Sequence, residues 1–444
     1  MKSNNELKEI VCAKIEELGK EICSWGDMIL KTPELGYFEE KTSKYAADIL
    51  DRYHIQKETG LALTGVKGTI SGKSSDYKIA IIGELDAVPS PQHPYAEKTS
   101  GAAHACGHNV QVAQGLGAII SLKESGIIDE LAGDVCFLGT PAEEFVDLEN
   151  RRNLQAQGKI KYLSGKQQLI YEKVFEDIDM AMMIHSHAAT KETVLFTRGQ
   201  SLGFQAENIQ FKGKSCHAST PYLGINALNA ANLALMGFHA NRESFRDEDK
   251  VRIHPIITKG GDAVNSVPDD VHMELYVRAG NMEALQDGIN KVNRVVKAAA
   301  KMVGADSEIE AYRGYLPLRQ DKEMSRLIEN NAAEIWGKEA YKRGVDMIGS
   351  TDMGDLSQII PCIQPTIGGF AGEAHSKDFK MIDAKKVYLD GAKLLAMTII
   401  DLLYDVAQGA KNVKEAFCSP MSRQKYLDYL EGKEEINKCG QRNG

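Results

Sequence analysis

The chain has 444 residues and a mass of 48.8 kDa, enough for two or three domains with sizeable cores. Hydrophobic residues make up 43% and charged residues 26%, which excludes a disordered or collagen-like chain. Lys plus Arg total 53 against 62 Asp plus Glu, and the resulting net charge of −9 argues against nucleic acid or an anionic membrane as partner.

The opening segment, MKSNNELKEIVCAKIEELGKEI, reads as an amphipathic helix without the apolar stretch of a secretory signal. No uncharged apolar run approaches the ~18 residues of a membrane helix. The eight cysteines contain no C-x-x-C pair and are too sparse for a disulfide scaffold. Free thiols and a cytoplasmic location are therefore expected. Three short apolar runs follow: KIAIIGELDAV (78–88), GDVCFLGTPAEE (133–144) and MAMMIHSHAA (180–189). Each ends abruptly in polar or ionisable residues, as strands buried on both faces do. A helical pattern over 109–126 lies between the first two, so strands alternate with helices, the mark of an α/β layer fold.

From about residue 197 to 311 the pattern becomes strand, glycine turn, helix (224–241), two strands (251–258 and 271–277) and helix (283–303). That order predicts a small α+β domain. Beyond residue 312 the α/β pattern returns, with a buried strand at 361–369 and a long helix at 384–404. The expected architecture is an α/β catalytic domain (1–195 and 312–444) interrupted by an inserted α+β domain (196–311). The last ~40 residues are charged and read as helical.

In open α/β sheets, ligands bind beyond the carboxyl ends of the strands. Here those ends carry Asp86, then Glu143 and Glu144, then His185, and finally His375. SGAAHACGHNV (100–110) adds Cys106 and His108 just before a helix. Thiolate, imidazole and carboxylate are the ligands of borderline-soft divalent metals. Cys106, His108, Glu144, His185 and His375 are too many for one closed tetrahedral ion and suit two metals sharing a bridge. Cys106 sits in a Gly- and Ala-rich turn between two histidines at a helix N-terminus, a setting that favours the thiolate over a buried structural thiol. Of two adjacent acids, one can bind metal while the other shuttles a proton. His187, two residues beyond His185, is the weaker ligand candidate because it lies further from the apolar run. His54, His93, His239, His254 and His272 show no ligand spacing. For His217, in FKGKSCHASTPYLG, residue types alone leave substrate contact and an ordinary turn histidine equally open. Phosphate-loop and dinucleotide-turn motifs are absent.

HACGHN (104–109), GTPAEE (139–144), MIH (183–185), FKGKSCHASTP (211–221), VNSVPD (264–269), GSTDMGDLS (349–357) and EAHSKDF (373–379) resemble, in order, motifs of the M20 metallopeptidase family. The resemblance runs over about residues 10–405 and is to the amidohydrolase branch, subfamily D. Asn109 and GSTDMGDLS resemble aminobenzoyl-glutamate hydrolases and dipeptidases acting on β-alanyl-lysine or Xaa-Arg. The resemblance implies a zinc-peptidase-like catalytic domain with an inserted lid that makes a homodimer or pairs with a paralogous subunit. It implies two divalent ions, zinc or manganese, on Cys106, His108, Glu144, His185 and His375, with Cys106 bridging. Glu143 would be the general base and acid, and Asp86 would orient a ligand histidine. His217, Asn265 and Arg278 would lie on the lid and bind the substrate carboxylate or the oxyanion. Glu84 stands where many members carry a ligand histidine. The activity implied is metal-dependent cleavage of the amide of a small-molecule N-acyl amino acid or dipeptide with a free carboxylate. The rivals are a non-catalytic binding relative and a deacetylase of an amino acid or amino sugar derivative. The polar segment 145–177 departs from the family pattern.

Overall fold

The computed structural model describes residues 2–347 and 349–432, so Cys439 and the end of the charged tail lie outside the described residues. The chain divides into two compact units. Among the described residues, one runs to Gly199 and adds Arg319–Asp346 and Asp355–Arg423; the other comprises Gln200–Leu318, 347–354 and 424–432.

The first unit is built on a six-stranded sheet. Its spatial order is Gln56–Leu61, Gly65–Ile70, Asp134–Thr140, Lys78–Glu84, Met180–Met182 and Cys362–Ile363. The first two pairings are antiparallel and the last three parallel. The parallel strands are the apolar runs read in the sequence, and Ile79–Ile82, Val135–Leu138 and Met180–Met182 are buried. Helix His108–Glu124 packs on strand Lys78–Glu84 and is itself covered by helices Gly19–Leu30 and Ala384–Ala416. Residues 108–122 of that helix are all buried, as expected of a helix with no polar stripe. The long helix loses helical geometry at Tyr404–Ala407, close to the end predicted for it.

Two predicted strands are shorter than expected. The run at 361–369 splits into Cys362–Ile363 and Thr366–Ile367, which belong to different sheets. Pro365 between them has no N–H for a ladder, and its carbonyl instead accepts from His185 N at 2.9 Å. The run from Met180 stops at Met182; His185–Ser186 then pairs with Thr366–Ile367 in a second, four-stranded sheet.

The second unit is a four-stranded antiparallel sheet ordered Arg252–Lys259, Asp270–Ala279, Gly203–Lys212 and Asp306–Arg313. Helices Ala227–Ala240 and Met282–Met302 are capped by the side chains of Asn226 and Asn281. Both helices bury their apolar sides with Ile209, Phe211, Val271, Met273 and Val277 of the sheet. The molecule is thus an α/β unit with a separate α+β unit.

Candidate metal centre and catalytic turn

The three parallel strands Lys78–Glu84, Asp134–Thr140 and Met180–Met182 run in one direction, so their carboxyl ends share an edge. From that edge come Glu84 and Asp86, then Glu143 and Glu144, then His185. Cys106 and His108 enter at the start of helix His108–Glu124. Gly107 between them has φ +83°, and a Cβ there would stand 2.9 Å from Ser186 Cβ, so only glycine lets this turn close on the strand behind it. His375 arrives differently from expectation. It lies in the loop between Phe370–Ala371 and Lys380–Met381, held at φ +63° with its N–H donating to Ala105 O at 2.8 Å. A non-glycine residue in that conformation is strained, and such strain gathers at functional sites.

The five predicted donors converge. Cys106, His108 and His185 form one group whose ligand atoms lie within 4.8 Å of one another, and Cys106, Glu144 and His375 form another. Cys106 belongs to both. Its Sγ is 3.5 Å from His185 Nε2, and His375 Nε2 is 3.2 Å from Glu144 Oε1. A third group joins Glu84, His108 and Glu143. The imidazoles are oriented from behind. His185 Nδ1 is 2.8 Å from Ser186 O, and His108 Nδ1 is 2.8 Å from Asp86 O. With each Nδ1–H donated to a carbonyl, Nε2 keeps its lone pair toward the centre. Asp86 also accepts Glu144 N–H on Oδ2 at 2.9 Å, so one residue sets both a histidine and an acid.

Do these atoms fit metal ions? His108 Nε2 is fully buried and lacks a hydrogen-bond partner, yet it faces Glu84 Oε2 at 3.2 Å, Glu144 Oε1 at 3.8 Å and Glu143 Oε2 at 3.9 Å. Glu144 Oε1 is buried too and faces His375 Nε2 at 3.2 Å. Lone pairs of nitrogen, sulfur and oxygen facing one another at these distances repel unless positive charge lies among them. Protonation behaviour carries the same sign. Burial and Glu144 push the Cys106 thiol up, but His185 and His108 outweigh them and bring it down to about 6. Burial opposes ionisation of Glu144, but His375 and His108 hold it at about 2. Hydrogen bonds to Cys106 and Glu144 raise His375 to about 11. Burial disfavours a charged His108, yet Glu84, Asp86 and Cys106 raise it well above its ordinary value. The pocket draws cations, and its mixed S, N and O donors fit two divalent ions sharing one sulfur.

The turn carrying the paired acids is held from three sides. Ala142 is at φ +50°. Its N–H donates to Glu39 Oε1 at 2.8 Å, while Arg151 donates to Leu163 O at 2.8 Å, to Glu144 O at 2.5 Å and more weakly to Ala142 O at 3.4 Å. Burial, then the Asp86 charge, pushes Glu39 up to about 8. Lys166, wholly buried, pairs with Glu84 at 2.6 Å. Sequence reasoning missed Glu39, Arg151 and Lys166. Arg151 and Lys166 come from the polar segment 145–177, whose basic residues were the available signal.

Other candidates lie elsewhere. His187 stacks on Phe196 at 3.9 Å and bonds Thr366 Oγ1, outside every donor group. Asn109 is a packing residue, donating to Gly26 O and the Tyr388 hydroxyl. His217, Asn265 and Arg278 all belong to the second unit. His217 and Asn265 are exposed and adjacent, with Ala218 N–H donating to Asn265 O at 2.9 Å. Arg278 is half-buried near the far end of strand Asp270–Ala279, donating to Ser350 Oγ at 3.1 Å and lying over Phe204 and Tyr276.

Known proteins share these features. Human Xaa-Arg dipeptidase is 27% identical over 97% of this chain and 96% of its own length. A protein named as an aminohydrolase from methicillin-resistant Staphylococcus aureus superposes with a TM-score of 0.77 at 21% identity, covering 90% of this chain and all of that one. The Bacillus subtilis YXEP protein, described as a dinuclear metal-binding peptidase, superposes with a TM-score of 0.70 at 22% identity over 87% of this chain and 99% of that one. Residues 80–401, most of the chain and all of the donor set, match peptidase family M20/M25/M40. With this fold and these donors, the chain belongs to peptidase family M20/M25/M40 and is a hydrolase of amide or peptide bonds.

Proposed function

We propose that the protein hydrolyses the amide bond of an N-acyl amino acid or dipeptide with a free carboxylate, of the aminobenzoyl-glutamate or Xaa-Arg/Lys kind. The observation that carries this reading is the Cys106 sulfur shared by two donor groups, with the unassigned acid Glu143 beside them. Cys106, His108 and His185 would hold one divalent ion, and Cys106, Glu144 and His375 the other. When bound, zinc or manganese supplies Lewis-acid activation of the scissile carbonyl and of the attacking water. Glu143 accepts the water's proton on a carboxylate oxygen and returns it to the departing amine nitrogen. The turn at Ala142 keeps that carboxylate near the ligand cluster without making it a member of either Cys106 group.

His217, Asn265 and Arg278 serve the substrate carboxylate or the developing oxyanion. Within the second unit they do not form one cluster. Asn265 lies before strand Asp270–Ala279 and Arg278 near its end, and the strand from Asp270 to Arg278 alone covers about 27 Å at the rise of an extended strand. One small substrate does not span that distance. Two copies of the chain, or a copy and a paralogous subunit, exchanging the His217–Asn265 loops would bring both sets to one site. The exposed outer strand Arg252–Lys259, with Ile256 and Ile257 uncovered, supports a homodimer joined through this unit. The seven cysteines among the described residues are free, and none of their helices is long and apolar enough to cross a membrane. Both fit a cytoplasmic enzyme.

The test is a release assay on N-acyl amino acids, N-acetylated amino sugars and dipeptides ending in Arg, Lys or Glu. It is run on protein stripped with chelator and reloaded with manganese or zinc. Turnover that returns with metal, on carboxylate-bearing amides only, supports the reading. Ligand binding without turnover would identify a binding relative, and acetate release from amino sugars would identify a deacetylase.

A further inference from the structure

We propose that Lys166 is a positioning residue of the metal centre: its ammonium fixes Glu84 so that the second carboxylate oxygen stands beside His108 Nε2 as an additional donor. The proposal rests on the two-metal reading above. Lys166 Nζ is 2.6 Å from Glu84 Oε1, and both side chains are wholly buried. The other oxygen, Oε2, accepts from Gln111 Nε2 at 2.9 Å, and Gln111 Oε1 in turn accepts Glu84 N–H at 3.1 Å. A carboxylate tied at one oxygen to an ammonium and at the other to an amide cannot rotate away. Its remaining lone pair on Oε2 faces His108 Nε2 at 3.2 Å. Because His108 Nδ1 lies against the Asp86 carbonyl, its other nitrogen offers a lone pair too, and a cation reconciles the two.

The charge of the site calls for such a residue. Glu84, Asp86, Glu143, Glu144 and Cys106 place five acidic groups in one small region. A fixed ammonium offsets one of them without occupying a donor atom that faces the cluster. The fold seats it deliberately. Lys166 lies in helix Gly165–Tyr171, whose first residue packs so closely on the catalytic turn that a Cβ would stand 1.7 Å from Pro141 O. A buried ammonium is strongly disfavoured unless it is paired, so Lys166 and Glu84 stand or fall together.

A double-mutant cycle on metal binding tests this, read by metal content after dialysis and by chelator competition for Mn2+ and Zn2+. Glu84→Gln and Lys166→Met should each weaken one of the two ions by ~10–100-fold, the usual effect of losing a group that orients ligands. The double variant should bind no more weakly than Glu84→Gln alone. Lys166→Met binding both ions within about twofold of wild type, or a loss that adds in full to that of Glu84→Gln, would overturn the proposal. If Lys166→Met fails to accumulate as folded protein, the double variant, which removes both buried charges together, still decides. Affinity equal to Glu84→Gln supports the coupling, and a further ~10-fold loss refutes it. A wild-type protein that binds no divalent ion would defeat the two-metal reading itself, a result visible before any variant is made.

Discussion

Arg151 offers the most demanding check on how the turn at Ala142 is held. Its side chain is wholly buried and spends its donors on main-chain carbonyls: Leu163 O at 2.8 Å, Glu144 O at 2.5 Å and Ala142 O at 3.4 Å. Replacement by Met keeps much of the volume and removes the donors. The 3.4 Å contact is too long to count for much, which leaves two charge-assisted bonds at ~1.5–3 kcal/mol each. The loss should therefore be ~3–5 kcal/mol. At ~2 °C per kcal/mol for a large unit, the unfolding midpoint should fall by about 6–10 °C. The turn also carries Glu143 and Glu144, and a displacement of ~1 Å there is worth ~10²-fold in rate, so kcat should fall while KM moves little. Arg151→Lys, which supplies a point charge but no fork, should recover part of the stability and little of the rate. Thermal unfolding beside steady-state kinetics on metal-loaded protein makes the measurement. A variant that loses less than ~1 kcal/mol and retains normal kcat would show that the strained Ala142 turn holds itself without Arg151.

Three further outcomes follow from the same geometry. Glu143→Gln should keep two equivalents of metal while kcat drops by ~10²-fold or more; retained turnover would remove Glu143 from the proton path. Gly107→Ala places a Cβ at φ +83° and 2.9 Å from Ser186 Cβ, between the proposed ligands Cys106 and His108, so both metal affinity and thermal stability should decline; unchanged metal content after dialysis would refute this. In the second unit, burial raises Glu207 to about 7, and its Oε2 has no partner. The folded form then holds a proton that the unfolded chain releases near 4.5, so this group's contribution to stability declines as pH rises from about 4.5 through 7. Glu207→Gln should abolish that slope and gain about 3 kcal/mol over wild type above pH 8, measured by urea unfolding across pH. Parallel stability–pH curves for the two proteins would contradict it.

Much of the centre is legible in the sequence for a definite reason. Parallel strands buried on both faces must be apolar to their ends, so the ionisable residues that close each run mark the functional edge. Asp86, Glu143, Glu144 and His185 are found that way, and the structure places them on that edge. Cys106 and His108 stand out because a helix start beside a glycine is an unusual place for a thiol. His375 was attached to the correct region by the wrong element, because Pro365 cuts the predicted strand and a hairpin loop delivers the histidine instead. What stayed hidden are partners fixed only by tertiary packing. Glu39 meets Ala142 across 103 positions and Lys166 meets Glu84 across 82, and no local period announces either pair. His217 follows strand Gly203–Lys212 and Asn265 precedes strand Asp270–Ala279, and only the antiparallel register of those strands sets both apart from Arg278 at the other end.

The pairing of Met180–Met182 with Cys362–Ile363 also sets a timetable for biosynthesis. At ~5–20 residues per second a ribosome needs about 10–40 s to travel from the earlier strand to the later one. During that interval the segment Gln200–Leu318 already holds all four strands of its own sheet and both helices. The nascent first unit meanwhile waits with an apolar β-edge uncovered. A polypeptide interrupted after residue 182 and before residue 362 would carry that sticky margin permanently, making such premature termination products natural clients of chaperones and proteases.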